Sequence, residues 1–229
     1  GSGITIFNVA VGSKAGRNLT TGNTNILIGY EAGNQILTGS KNTLVGHAAG
    51  KFITSGESNV ALGYAALGAE DTGDKNVAIG YEALTALNYD GDGFNVAIGF
   101  EAGHDISSGR YNTIVGSESG DKITTGDRNN ILGYDAGGAL TEGERNVAIG
   151  DTALATATTQ SFNVAVGSGA LNSAASSENV AVGYRAGAAT SSSGSNTYIG
   201  YQAGIANTTG QNTGVGNNVL AANQTGTNN

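Results

Sequence analysis

The sequence predicts an all-β fold: a β-solenoid in which thirteen coils of about 17 residues stack into one rod. Three observations predict it. First, one phrase recurs, as "NVAIGYEAL" at 76–84, "NVAIGFEAG" at 95–103 and "NVAVGYRAG" at 179–187. Second, the Asn that opens each copy falls at Asn8, Asn25, Asn42, Asn59, Asn76, Asn95, Asn112, Asn129, Asn146, Asn163, Asn179, Asn196 and Asn212. Nine of the twelve intervals are 17 residues and the others are 19, 16 and 16. Third, the chain holds 39 Gly and no Pro, Cys, Met or Trp, and only 12% of it is charged. A strict short period is the signature of stacked supersecondary units, and 17 residues is too short for helical-pair repeats of about 33.

The elements of one coil are taken in order from the anchor Asn, counted as position 0. Positions 1 to 3 read "VAI", "ILI", "TIV" or "TYI", β-branched and short, which predicts a strand of about four residues. Position 4 is always Gly, from Gly12 to Gly216, and predicts a turn with positive φ. Asn76, Val77, Ile79 and Gly80 show the pattern, repeated by Asn95 and Gly99 and by Asn146 and Gly150. Position 5 is aromatic at Tyr30, Tyr64, Tyr81, Phe100, Tyr134, Tyr184 and Tyr201. Position 7 is Ala in eleven coils, and position 8 is only Gly or Leu. Position 11 is a second apolar column (Leu19, Ile36, Ile53, Leu87, Ile106, Ile123, Leu140) that fades to Ala157 and Ala174, and it predicts a second short strand. A polar turn such as "TTG" or "SSG" closes the coil. Stacking then predicts Asn and aromatic ladders along the rod. In domain terms, 1–7 is a lead-in with "GSG" as a tag remnant, 8–220 is the repeat domain and 221–229 is a polar tail.

Side chains alternate across a strand, so positions 1 and 3 share one face and position 2 the other. Neither face carries a charge in any coil. Strands buried on both faces read as continuous apolar runs. One face fills the lumen, the other must meet another surface, and the chain is expected to form a homo-oligomer.

The "N-V-A-I-G" coil resembles the YadA-like head repeats of trimeric autotransporter adhesins. The longer "N-V-A-I-G-Y-E-A-L" form resembles repeats of phage tail fibres and bacterial surface fibres. The resemblance covers 8–220 and rests on Asn76, Val77, Ala78, Ile79, Gly80 and their equivalents. It implies a left-handed parallel β-roll, a homotrimer, and an extracellular place on a bacterial surface or a virion tail fibre. It further implies a non-enzymatic rod that attaches to a host cell-surface receptor or glycan. Adhesin heads have shorter coils, so the 17-residue unit leans to the fibre branch. With no anchoring barrel, stalk or chaperone tail, the chain is expected to be a head or shaft segment of a longer protein. A purely structural spacer shaft is the alternative function.

Other chemistry finds little support. The net charge of −8, with Lys and Arg scattered, argues against nucleic acid and anionic membrane surfaces. No apolar stretch approaches the roughly 18 residues of a membrane span. Without Cys there is no disulfide framework or thiol chemistry. No cofactor is expected and no metal. The stretch "NYDGDG" at 88–93 places Asn88, Asp90, Asp92 and Gly93 like the start of a calcium loop, but the closing Glu is Gly99. It coincides with the 19-residue coil and reads as an enlarged turn. His47 and His104 sit at different phases, and "GSESG" at 116–120 has Glu118 where a nucleophile elbow needs Ser. Glu31, Glu82, Glu101, Glu118 and Asp135 form an acidic column that reads as a solvated edge. Thr21, Thr38, Thr72, Thr125 and Thr159 share a phase that suggests ice binding, but Gly91 and Glu142 interrupt it. The candidate binding residues are therefore Tyr89, Asp90 and Asp92 of the irregular loop and Tyr30, Tyr64 and Tyr81 of the aromatic column, with "TSSSG" at 190–194 as a second irregular loop.

Overall fold

The computed structural model describes residues 7–189, 194–224 and 226–228. Among them, thirteen strands of three residues each, from Val9–Val11 to Thr213–Val215, occur once per coil. They form one parallel sheet in chain order. With neighbouring coils about 4.8 Å apart, the rod is roughly 60 Å long. The register never slips. Across the 19-residue coil Val77 still pairs with Val96 and Ile79 with Ile98, and across a 16-residue coil Val164 pairs with Val180. Extra or missing residues are absorbed in the turns, because a one-residue slip would turn every lumenal side chain outward.

The expected second strand does not form. One strand of three residues is followed by turns through the rest of the coil. The reason is an alternation of right- and left-handed backbone after the strand: Gly80 has φ 139°, Glu82 52° and Leu84 49°, while Lys75, just before the anchor, has 61°. Ordinary side chains thus take the left-handed region at positions −1 and 6 in most coils, and at position 8 wherever it is Leu and not Gly, each costing about 1 kcal/mol. Axial hydrogen bonds continue through these turns. The N–H of Glu82 donates to the Tyr64 carbonyl at 2.9 Å and that of Leu84 to the Ala102 carbonyl at 3.1 Å. The backbone is thereby satisfied without a second sheet. Position 11 reaches the core from a turn. Position 4 must be Gly for two reasons: its φ, and a Cβ that at Gly80 would lie 2.1 Å from the Gly99 carbonyl oxygen.

The lumen is filled by positions 2, 7, 8 and 11, all buried in the middle of the rod. A size rule governs positions 2 and 8. Where position 8 is Leu (Leu67, Leu84, Leu154, Leu171), position 2 is Ala in the same coil and in the next one, and the last coil sets Leu220 against Gly214. Where position 8 is Gly, position 2 is large (Leu27, Leu44, Ile114, Ile131 or Tyr198) in the same coil or the next. The geometry explains it. A Cβ on Gly33 would lie 2.8 Å from Leu27 Cδ2 in its own coil and 3.0 Å from Leu44 Cδ1 in the next. The two positions compete for one fixed volume, as close packing requires.

The buried anchors form the expected ladder. Each Asn Oδ1 accepts the backbone N–H of the next anchor, as Asn95 Oδ1 does from Asn112 at 3.0 Å. In most coils the same anchor's Nδ2 donates to the carbonyl 14 residues on, as Asn95 does to Gly109 at 2.9 Å and Asn146 to Gln160 at 2.9 Å, whereas Asn179 turns to Ser176 and Ser177. Asn76 and Asn163 open coils of altered length, and their Nδ2 groups turn instead to Asp74 and Ser161. The ladder continues past residue 220, where the Gly226 carbonyl accepts from Asn212 Nδ2 at 3.2 Å.

Candidate functional site

A chemically distinct surface is the outer face of the sheet. Position 2 faces the lumen, so positions 1 and 3 face outward as two columns of Val, Ile, Leu and Thr, with Asn130 the one amide. They are half-exposed to exposed along the rod, Leu132 at 51% and Ile149 at 39%. No charged side chain stands on either column. The outward face is therefore uncharged and mostly apolar, and it is uncovered in the single chain.

Two flanks border it. On one side position 5 builds the expected aromatic ladder. Tyr30, His47, Tyr64, Tyr81 and Phe100 stack in sequence with ring centroids 5.0–5.2 Å apart, and Tyr184 stacks on Tyr201 at 5.4 Å. His47, an exposed turn residue, is thus also a rung of the ladder. Stacking covers both faces of Tyr64 and Tyr81, which present only their edges to a ligand. The outer face of Tyr30 meets Lys14 Nζ, 5.1 Å from its centroid. These three tyrosines thus pack along the ladder while remaining exposed at its surface. The Tyr81 hydroxyl is held above its usual pKa chiefly by the adjacent Glu82 carboxylate. On the opposite side position −1 carries a mixed row. Phe94 stacks on Tyr111 at 5.5 Å, Lys75 lies over Phe94, and Arg145 over Phe162.

The irregular loop at 88–93 folds down onto its neighbours. Tyr89 packs partly buried against the core, and its hydroxyl accepts from Arg110 Nη1 at 2.9 Å. Asp90 accepts from the Thr72 hydroxyl. Asp92 pairs with Lys75 at 2.7 Å. A short parallel bridge, Asp74 with Asp92, ties the loop to the coil before it. Asp90 and Asp92 are thus engaged in holding the turn. Among the described residues no group of three or more His, Cys, Asp or Glu is placed to hold a metal ion.

Glu70 was not singled out by the apolar periodicity, although it occupies position 11, where Ile53 and Leu87 stand in the adjacent coils. It is fully buried. Its Oε1 accepts the N–H of Gly73 at 2.8 Å and of Asp71 at 3.0 Å, while Oε2 has no hydrogen-bond partner. Burial pushes its pKa up to about 7. The N–H groups of Gly73, Asp71 and Tyr89 oppose that shift and the Asp90 charge adds to it. The signal for it was in the sequence: a carboxylate breaking an apolar column, one coil before the insertion.

The remaining candidates stay apart. His104 lies between Asp105 and Glu82, with Nε2 3.6 Å from Glu82 Oε2, at a different corner from His47. On the acidic column, Glu31 is held down to about 2, chiefly by hydrogen bonds from Lys14 and then from Lys51. Asp135 is raised by burial and then by Asp121, Glu118 and Asp151. Of the loop at 190–194, residues 190–193 lie outside the described residues. An open depression of about 380 Å³ spans coils 9 to 12, where Ser168 and Gly169 replace larger residues; Asn172, Ser173, Tyr184 and Arg185 line it. No helix is long and apolar enough to cross a membrane among the described residues. The sequence matches no family model, no curated protein and no solved structure.

Proposed function

We propose that this chain is a non-enzymatic structural and adhesive module: a stiff rod that self-associates through its outer sheet face and attaches a larger extracellular fibre to a host cell surface. The observation that carries the reading is the uncovered, mostly apolar face, two outward columns of Val, Ile, Leu and Thr with the one Asn130, running through thirteen coils without a charge. All-parallel sheets bury both faces, and exposed apolar patches far larger than a few hundred Å² mark association surfaces. Three copies is the number implied by the resemblance to trimeric adhesin heads and fibre repeats. Repetition along the rod and across copies favours many weak contacts, with avidity in place of one deep pocket. The hydroxyls, amide and guanidinium of the depression at Ser168, Asn172, Ser173 and Arg185 are groups suited to a surface glycan.

Light scattering after size exclusion tests the assembly. A mass near three times 22.7 kDa is expected, and a single-chain mass defeats the reading. A glycan array with a hydrolysis readout tests the attachment. Retention without turnover, lost on Arg185→Ala, is the expected result; turnover would make the rod an enzyme. No retention would leave the spacer shaft as the function.

A further inference from the structure

Glu70 stands in for a backbone group that the fold has moved away. In regular coils the N–H groups at positions 12 and 14 both donate to the carbonyl at position 12 of the next coil. Thr54 and Gly56 give theirs to Asp71 at 2.8 and 3.4 Å, and Thr124 and Gly126 give theirs to Thr141 at 2.9 and 3.3 Å. By that pattern Asp71 and Gly73 would donate to the Asn88 carbonyl. The 19-residue coil enlarges at that point. Both N–H groups turn instead to Oε1 of Glu70, at 3.0 and 2.8 Å. The side chain at position 11 thus supplies the acceptor that the loop at 88–93 has carried off. Gly73 leaves room for it, since a Cβ there would lie 2.6 Å from Glu70 Cδ.

Only one of its two oxygens has that use. Oε2 is buried without a hydrogen-bond partner, and the apolar column continues on either side with buried Ile53 and Leu87. The charges around the carboxyl offer no counter-ion. Its own coil brings Asp71, Asp74 and Lys75, and the enlarged loop brings Asp90 and Asp92. The coil before brings Ile53, Thr54 and, further round the turn, Glu57, which pairs with Lys41. Lys75 pairs with Asp92 at 2.7 Å, and Arg110 engages Tyr89 and Asp127. Among the described residues no cation pairs with Glu70. A neutral carboxyl keeps Oε1 as acceptor for both N–H groups and leaves one hydroxyl unmatched. A carboxylate would be a bare charge in a dry interior, which proteins do not hold unpaired. Ionisation and burial therefore exclude each other here, and one wall of the site must yield. The loop is the weakly fastened wall: the Lys75–Asp92 pair is 46% and 42% exposed, and exposed pairs of this kind hold little.

We propose that the loop at 88–93 is a pH-operated flap with Glu70 as its latch: it closes over the neutral carboxyl and lifts to admit water when the carboxyl loses its proton. The proposal stands apart from the role in attachment. Opening needs no movement of the sheet, where Val77 pairs with Val96 across the enlarged coil. It is a local opening of the kind that leaves the rest of a fold closed. It frees Tyr89, Asp90 and Asp92 from Arg110, Thr72 and Lys75 at one height of the rod. Burial, opposed by the N–H groups of Gly73, Asp71 and Tyr89, sets the carboxyl of the closed form at about 7 against the usual 4.5. The raised value means that the closed flap is fully held below about pH 4.5 and loses that hold as pH rises to about 7.

Amide exchange of the full chain, corrected for the intrinsic pH dependence of exchange, tests the flap. The N–H groups of Gly73, Asp74 and Gly93 donate to Glu70, Gly91 and Asp74. Their protection should fall roughly tenfold per pH unit between about 4.5 and 7 and level off above, about two orders of magnitude in all. Gly126, in a regular turn, should not follow. In Glu70→Gln, which keeps the acceptor and cannot titrate, the pH dependence should vanish. A second readout needs no variant: the carboxyl carbon of Glu70 in the wild-type chain should titrate near 7 by NMR. An equal loss at Gly126 overturns the flap, because the whole rod is then loosening. The same pH dependence in Glu70→Gln overturns the latch, because another group then titrates. Protection that does not change with pH, or a Glu70 carboxyl that titrates near 4.5, overturns both.

Discussion

The Oδ1 of Asn112 accepts a 2.9 Å hydrogen bond from the backbone N–H of Asn129, one coil further along. Its Nδ2 donates to the Gly126 carbonyl at 2.9 Å. One side chain thus satisfies two backbone groups that the tight turns leave without axial partners. Asn112→Ala strands both in a dry interior, at about 1–3 kcal/mol each. The expected loss is about 2–4 kcal/mol, read as a lower denaturant midpoint and as faster amide exchange at Asn129. Because stacked repeats open locally, exchange at Asn25 should hardly change, and uniform acceleration along the rod would contradict the ladder's local role.

The lumenal size rule predicts a compensating pair. Ala61→Leu alone overpacks against Leu67, at about 1–3 kcal/mol. Leu67→Gly alone leaves a cavity, at about 3–5 kcal/mol. Together they recreate the Leu44 and Gly50 arrangement of the preceding coil, so most of the stability should return. A double-mutant cycle of denaturation midpoints measures the coupling; additive losses would mean that the two positions do not share a volume.

Glu70 makes a pH prediction with a definite sign. Its folded pKa, about 7, lies above the ordinary 4.5, so the folded state holds its proton more tightly than the unfolded chain. The contribution is fully present below about pH 4.5 and is lost as pH rises through 7, at about 1.4 kcal/mol per pKa unit. Glu70→Leu, which restores the apolar column, should gain on wild type by about 3 kcal/mol between pH 4.5 and pH 8. A stability difference between the two proteins that does not change with pH would show that the carboxyl is not titrating in the fold.

Gly80→Ala should be among the most damaging single substitutions. It places a Cβ 2.1 Å from the Gly99 carbonyl oxygen and forces Ala to φ 139°. Strain of that kind costs of order 1–3 kcal/mol before any clash is counted. A midpoint shift below about 1 kcal/mol would mean that the coil relaxes freely at this corner. Glu82→Gly, two residues on at φ 52°, should be close to neutral by the same measurement, since Gly relieves left-handed strain there while losing folding entropy.

Much of the fold was legible in the sequence because a solenoid translates period directly into position. The interval between anchors gave the coil, Gly80 and its equivalents gave the turn, and Asn112 and its equivalents gave the ladder. The second strand was misread because Ile53 and Leu87 are apolar and spaced like a strand, whereas left-handed residues such as Glu82 and Leu84 carry the chain round that corner. Helix and strand propensities contain no term for left-handed backbone in ordinary residues. The sizes of Ala61 and Leu67, and of Leu27 and Gly33, were visible as letters, but they become a rule only once both are known to enter one lumen.

For the candidate site the balance is different. That Val77 and Ile79 share a face followed from strand alternation alone, and so did the apolar character of that face. Which face points outward required the closed coil, because alternation says that two faces differ and not which one the chain wraps around. Tyr64 and Tyr81 as an aromatic column came from the period; that their ring faces are consumed by stacking came from centroids 5.0 Å apart. Tyr89, Asp90 and Asp92 looked like a ligand set in sequence, and the fold spends them on Arg110, Thr72 and Lys75. Sequence by itself determined the repeat, its turns and two uncharged strand faces, since these depend on local geometry and periodicity. Tertiary structure decided the buried state of Glu70, the lumenal size rule and the separation of the two flanks, since each depends on which side chains meet across coils far apart in the chain.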